Sequence, residues 1–346
     1  MKKILILISF VLLLATPVSA LDLTAPTVPD IAADVMPREP ESFAEGLWEL
    51  LTAVIAKVEP ELAEASLVCL AVIAAGLMIS FLQPMTGQGK KLAELIAALS
   101  VALILLGPTR SMVGLGVGTV QELTSYGKLL LPVMTAGLAA QGGITKSAAL
   151  CAGTAAFNTL LGHLISALLV PVVYIYLALA VANSAVGEDA LKKIRDFIKW
   201  CGTWVLKGGL YIFTGYMGLT GIITGTADAA ALKVTKSTIS VAVPVIGNIL
   251  SDASETVLVS AGMIKSAAGI YGMLAILALC LEPFVRIGIQ YLFLKLTSAI
   301  CGVFATKQVT ELIDGFSTAM GMLVAATGTI CLMLLISTVC FMKGVG

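Results

Sequence analysis

The sequence is poor in charge, in aromatic rings and in histidine. Of its 346 residues only 12% are Asp, Glu, Lys or Arg, 6% are aromatic and one is histidine. Soluble domains carry about 25% charged residues, so this chain lacks the polar surface that a water-soluble fold of its length needs. A single histidine excludes any site built from two or more imidazoles. The motifs of nucleotide and hydrolytic chemistry are missing too: there is no Walker A loop, HExxH, GxSxG or dinucleotide fingerprint. Gly87-Gln88-Gly89-Lys90 has neither the spacing nor the Ser/Thr of a phosphate loop. The chain is therefore not expected to be an enzyme, and no cofactor or metal is expected. The 21 basic and 21 acidic residues cancel, which removes any global attraction to nucleic acid. Seven cysteines form no CxxC pair; six lie in apolar runs and Cys201 on an amphipathic stretch, so they read as small hydrophobes.

What is abundant is apolar: 58% of residues are hydrophobic, 33 are glycine, and the mean hydropathy is +1.02. Lipid is the solvent that suits such a chain, and glycine lets helices approach closely within it. The expectation is an all-α, polytopic transmembrane helical bundle. Lys2 and Lys3, the apolar run Ile4 to Ala15 and the small residues up to Ala20 read as a cleavable signal peptide, residues 1–20. Residues 21–61 form an acidic leader outside the cytoplasm, broken early by Pro26, Pro29, Pro37 and Pro40 and partly disordered. Phe43, Leu47, Leu50, Leu51 and Val54 then recur at helical spacing.

Residues 62–346 form the multispan domain. A span needs about 20 mainly apolar residues. Leu62–Leu82 and Leu92–Leu106 qualify or nearly so, and Lys90-Lys91 between them mark a cytoplasmic loop. Met112–Gln141 reads either as one span with a polar middle or as an interfacial piece plus a span. Ala148–Val186 is too long for one crossing and is expected to break at Pro171. Glu188–Lys207 carries Ile194, Phe197, Ile198, Cys201 and Val205 on one face, the pattern of a helix lying at the cytoplasmic interface. Gly208–Gly225, the short Val241–Leu250, Val257–Leu281, Phe284–Phe304 and Ala319–Phe341 follow, giving eight to ten spans. Pro132 and Pro244 are 112 residues apart, as are Pro171 and Pro283. This spacing points to two related halves, 126–226 and 238–338, against the alternative of chance similarity in apolar sequence.

Charged and polar residues within spans are the functional candidates, because each costs about 2.5–3.5 kcal/mol near a helix centre. Glu282 and Arg286 are four apart and share a helix face, which Gln290 continues and Lys295 follows. They line a cavity or subunit contact, or else sit in a cytoplasmic hairpin around Pro283. Asn158 and His163 form an intramembrane polar site, or His163 simply hydrogen-bonds within the bundle. Lys265 pairs with Asp252 or Glu255, or marks a break. Gly114/Gly118 and Gly221/Gly225 fit GxxxG packing.

One stretch is more specific: Thr214-Gly215-Tyr216-Met217, Gly225-Thr226-Ala227-Asp228-Ala229, Lys233, Thr235-Lys236, Pro244-Val245-Ile246-Gly247 and Leu250-Ser251-Asp252-Ala253-Ser254-Glu255-Thr256. It resembles the stage III sporulation protein AE family of endospore-forming bacteria, and the resemblance extends over nearly the whole mature chain. The resemblance implies a protein of the mother-cell membrane around the forespore. It further implies a channel or secretion-like complex with other stage III proteins. These include a cytoplasmic ATPase, ring-forming and small membrane subunits, and a forespore membrane partner. It brings no catalytic residues. On this reading Asp228, Lys233, Lys236, Pro244, Gly247, Asp252, Glu255, Lys265, Glu282 and Arg286 are candidates for the pore or a subunit contact. The rival readings are a self-sufficient secondary transporter and a structural scaffold.

Overall fold

The computed structural model describes residues 26–37, 42–82, 88–140, 144–186, 189–219 and 267–343. The described residues are almost wholly helical: a single turn α1 (Asp30–Ala33), then α2 (Phe43–Leu82), α3 (Gln88–Ala140), α4 (Ile144–Leu164), α5 (Val170–Val186), α6 (Asp189–Leu219), α7 (Ala267–Cys301) and α8 (Lys307–Lys343). A π-helical turn, Ile165–Leu169, joins α4 to α5 without a break.

Among the described residues, five continuous helical stretches are long and apolar enough to cross a membrane, at 33 to 45 residues each. At about 1.5 Å per residue they exceed the roughly 30 Å hydrocarbon core. Tilt or projection beyond the lipid takes up the excess. Breaks expected at prolines would divide these stretches into more and shorter spans. The structure instead keeps Pro60, Pro108, Pro132 and Pro283 inside helices. Val257–Leu281 and Phe284–Phe304 were expected as separate spans; the described part, from Ala267, is one helix, with no hairpin at Pro283. At Pro171 the expected break is replaced by the π turn just before it. That turn opens the i→i−4 ladder where a proline ring would otherwise strike a carbonyl. Likewise, Leu92–Leu106 and Met112–Ala140 belong to one helix, α3. The signal segment, Val241–Leu250 and residues 238–266 of the second proposed repeat lie outside the described residues.

The last helix is the centre of the bundle. The apolar stretch of α8 is 94% buried, against 22% for α2 and 50% for α7, and α3 to α7 all pack on it. Two sequence features make this possible. Thr327, Thr329, Ser337 and Thr338 each donate their hydroxyl to a carbonyl of α8 itself, at 2.7–3.1 Å. Buried hydroxyls thereby cost little. Gly315, Gly321 and Gly328 let Ala180, Tyr291 and Phe284 come close: a Cβ at each glycine would lie 2.9, 3.2 and 3.3 Å from them. By contrast, a Cβ at Gly114 would meet nothing within 4 Å, nor would one at Gly118, so that GxxxG pair makes no close helix contact.

The leader also contributes to the fold. The helix expected near Ser42 starts at Phe43 and runs through residue 61 into the first span as one element. Upstream, Ala32 and Val35 are buried, and the Tyr126 hydroxyl donates to the Pro26 carbonyl at 3.4 Å. The described part of the leader from Pro26 to Val35 is thus docked on the bundle.

Candidate functional site

The residues described bring charge together at one place on the flank of the bundle, between α2 and α7. Lys57 and Glu61 are one helical turn apart on α2, and Glu282 and Arg286 are one turn apart on α7, so each pair shares a face. The helices run parallel in register. Lys57 Nζ meets Glu282 Oε2 at 3.6 Å, and Arg286 Nη2 donates to Glu61 Oε1. Within α7, Arg286 Nη1 lies 3.6 Å from Glu282 Oε1, and Asp34 joins from the leader at 3.6 Å from Lys57. Sign alternates around the square, so each charge has opposite neighbours. The side chains of Glu61, Glu282 and Arg286 are 21%, 21% and 29% exposed. They are thus neither sealed in the core nor free in solvent. Gln290, one turn beyond Arg286, is buried and its Nε2 has no hydrogen-bond partner.

The sequence reading singled out Glu282 and Arg286 but placed Lys57 and Glu61 in a leader separate from the spans. The signal that could have found them is the common spacing: Lys57/Glu61 and Glu282/Arg286 are both i,i+4 pairs, with charges in opposite order.

A second constellation sits inside the bundle. Asn158 is fully buried on α4, and its Nδ2 donates to the Thr124 carbonyl of α3 at 3.0 Å. Its Oδ1 and the Oγ1 of Thr154, one turn earlier, are buried without partners. His163 is not part of this group: five residues on, it turns to an exposed face of the same helix. The structure therefore separates the two residues that sequence proximity had joined.

A third group ties the helix ends together. Lys192 donates to Glu311 at 3.2 Å, Ser184 to the Gln308 carbonyl at 3.0 Å, and Gln308 to Glu94 at 3.4 Å. Lys295 pairs with Asp314 nearby on α8. These contacts place the starts of α3, α6 and α8 and the end of α5 at one end of the bundle. Asp228, Lys233, Lys236, Pro244, Gly247, Asp252, Glu255 and Lys265 lie outside the described residues. Among the described residues no cluster of three or more His, Cys, Asp or Glu could hold a metal ion.

Long apolar helices around a buried hub, charge paired on one flank and a hydrogen-bonded polar end define an all-helical protein of membrane-spanning type. The chain belongs to the stage III sporulation protein AE family, whose model matches residues 28–344. It is similar to the stage III sporulation protein AE of Bacillus subtilis (strain 168), with 22% identity over 247 residues, 71% of this chain and 62% of that protein. The chain thus spans less than two thirds of the length of this relative. No solved structure matches it.

Proposed function

We propose that the chain is a permease-like, multispan membrane component of the channel complex between mother cell and forespore, required for endospore development. It would lie in the mother-cell membrane around the forespore. Its partners there would be a cytoplasmic ATPase, ring-forming and small membrane subunits, and a forespore membrane protein. Family membership supports the sporulation role. The observation that carries the assembly role is the flank network of Asp34, Lys57, Glu61, Glu282 and Arg286.

That network holds three acids and two bases, so it is one negative charge out of balance. Facing lipid, each charge costs about 2.5–3.5 kcal/mol. A half-exposed, imbalanced network on membrane-length helices is better suited to a partner subunit or a watery path than to acyl chains. The polar end, which carries Lys192 and Lys307 beside Glu311, would be the cytoplasmic end under the positive-inside rule.

The test is affinity purification of the tagged chain from sporulating cells, with mass spectrometry. The ATPase and ring-forming subunits should be recovered. Glu282→Gln and Arg286→Gln should lose them while the chain still reaches the membrane. Recovery of the chain alone, in cells that sporulate normally with either variant, overturns the reading.

A further inference from the structure

Helix α6 is described over 31 residues yet is not among the five stretches apolar enough to cross a membrane. Nor does it lie flat across the bundle, as an interfacial helix was expected to. It stands upright against α4 and α5. A Cβ at Gly202 would lie 3.3 Å from Leu169 and 3.4 Å from Val172, and Phe213 meets Phe157 edge to face at 5.5 Å. Its inward face is Arg195, Gly202, Leu206, Leu210, Phe213 and Met217, all buried. Of the apolar row expected from sequence, Ile194 and Phe197 are exposed, and the outward face continues from Phe197 as a row of rings. Ile198, Cys201 and Val205 are half-buried, while Phe197, Trp200 and Trp204 are 62%, 58% and 63% exposed.

Phe197 and Trp200 stack with centroids 6.0 Å apart, and Trp204 lies tilted against Trp200 at 6.4 Å. Lys193 precedes the row by four residues and Lys207 follows it by three. The sequence 193, 197, 200, 204, 207 steps by four and three, which keeps all five side chains on one stripe. Neither lysine has an ion-pair partner among the described residues. No acid falls on the stripe: Asp196 is one position off it and lies 3.9 Å from Arg195 Nε. At the same height on the adjoining helix, Leu168, Tyr174 and Ile175 are also exposed, so the stripe continues a surface of membrane character.

We infer that the polar-end part of the stripe, Lys193, Phe197 and Trp200, is a contact site for anionic phospholipid headgroups; on an upright helix the whole stripe runs about 21 Å, deeper than one headgroup layer. Indole and phenyl rings favour the boundary between headgroup and acyl chain. Lys193, exposed and without an ion-pair partner among the described residues, supplies the counter-charge for a phosphate there. The inference needs only a bilayer around the bundle and holds whether or not the chain belongs to a channel.

The full chain in lipid nanodiscs provides the test. Trp48→Phe leaves Trp200 and Trp204 as the only indoles of the three in the sequence, and Trp48 is itself exposed. Tryptophan emission is read in discs of mixed phosphatidylglycerol and phosphatidylcholine, with bromine on the acyl chains of one lipid or the other at equal content. Bromine on the anionic lipid should quench more strongly. Lys193→Gln should reduce that enrichment by about fivefold, whereas Lys207→Gln, about 21 Å further along α6, should leave it, with the fold of both intact by circular dichroism. Equal quenching by the two lipids overturns the inference, as does a preference that survives Lys193→Gln. Absence of quenching by either lipid also overturns it and places the stripe against protein, such as a second copy of this chain.

Discussion

Asn158 crosses from α4 to the main-chain carbonyl of Thr124 on α3, 3.0 Å away, and it does so through the gap left by Gly127. A Cβ at position 127 would lie 2.5 Å from Asn158 Nδ2 and 2.7 Å from Leu334 Cδ2. Three helices therefore meet at a point that tolerates only a hydrogen atom.

Gly127→Ala is expected to destabilise the bundle by about 1–3 kcal/mol, the range for overpacking a filled interior. Gly114→Ala, where the new methyl meets open space, should be neutral or gain up to about 1 kcal/mol from helix propensity. Thermal unfolding of the two variants in detergent separates them. Equal melting temperatures would show that the close approach at Gly127 carries no weight.

Arg286→Glu places a third acid beside Glu61 and Glu282. It should cost about 2–3 kcal/mol, below the 3–5 kcal/mol of a fully buried pair because the group is part-exposed. Adding Glu61→Arg restores alternating sign on one side of the square. The double variant should recover at least half of the loss in unfolding free energy. Additive losses in the double-mutant cycle would remove the coupling between α2 and α7.

The parallel register of these helices extends away from the charges. A Cβ at Gly76 would sit 3.7 Å from the thiol sulfur of Cys301. Gly76→Cys should cross-link to Cys301 under mild oxidation, seen as a disulfide-linked peptide by mass spectrometry. Leu77→Cys, on an exposed face, should not form that link. The opposite pattern would mean that α2 is rotated from the position described.

Glu311 accepts from Lys192 at 3.2 Å and from Asn183 at 3.5 Å, and Lys307 lies 4.0 Å away. These contacts are partly open to solvent, so Glu311→Gln should cost only about 0.5–1 kcal/mol and the loss should shrink as salt is added. A loss of 3 kcal/mol or more, independent of salt, would mean that this end is sealed from water.

Much of this architecture is legible in the residues. The periodicity of Phe43, Leu47, Leu50 and Val54 locates the start of α2, and the spacing of Glu282 and Arg286 gives their shared face. Proline misled because its local effect depends on context: a π turn absorbs Pro171, and neighbouring helices hold Pro283 within α7. Lys57 and Glu61 were obscured by the acidic stretch around them, whose composition resembles a solvated leader. The central place of α8 is hidden for a different reason. Its serines, threonines and glycines read as polar or weakly helical, while their effect is to satisfy hydroxyls internally and admit neighbours closely.

That central helix has a consequence for how the molecule is made. A ribosome delivers α8, 37 residues long, after every helix that surrounds it. The earlier helices emerge without the element on which they close, so α8 joins them by insertion rather than by addition to one side. A nascent chain halted before Lys307 would leave inward faces such as those of Phe284, Tyr291 and Ala180 uncovered, a state that quality-control machinery in the membrane could recognise.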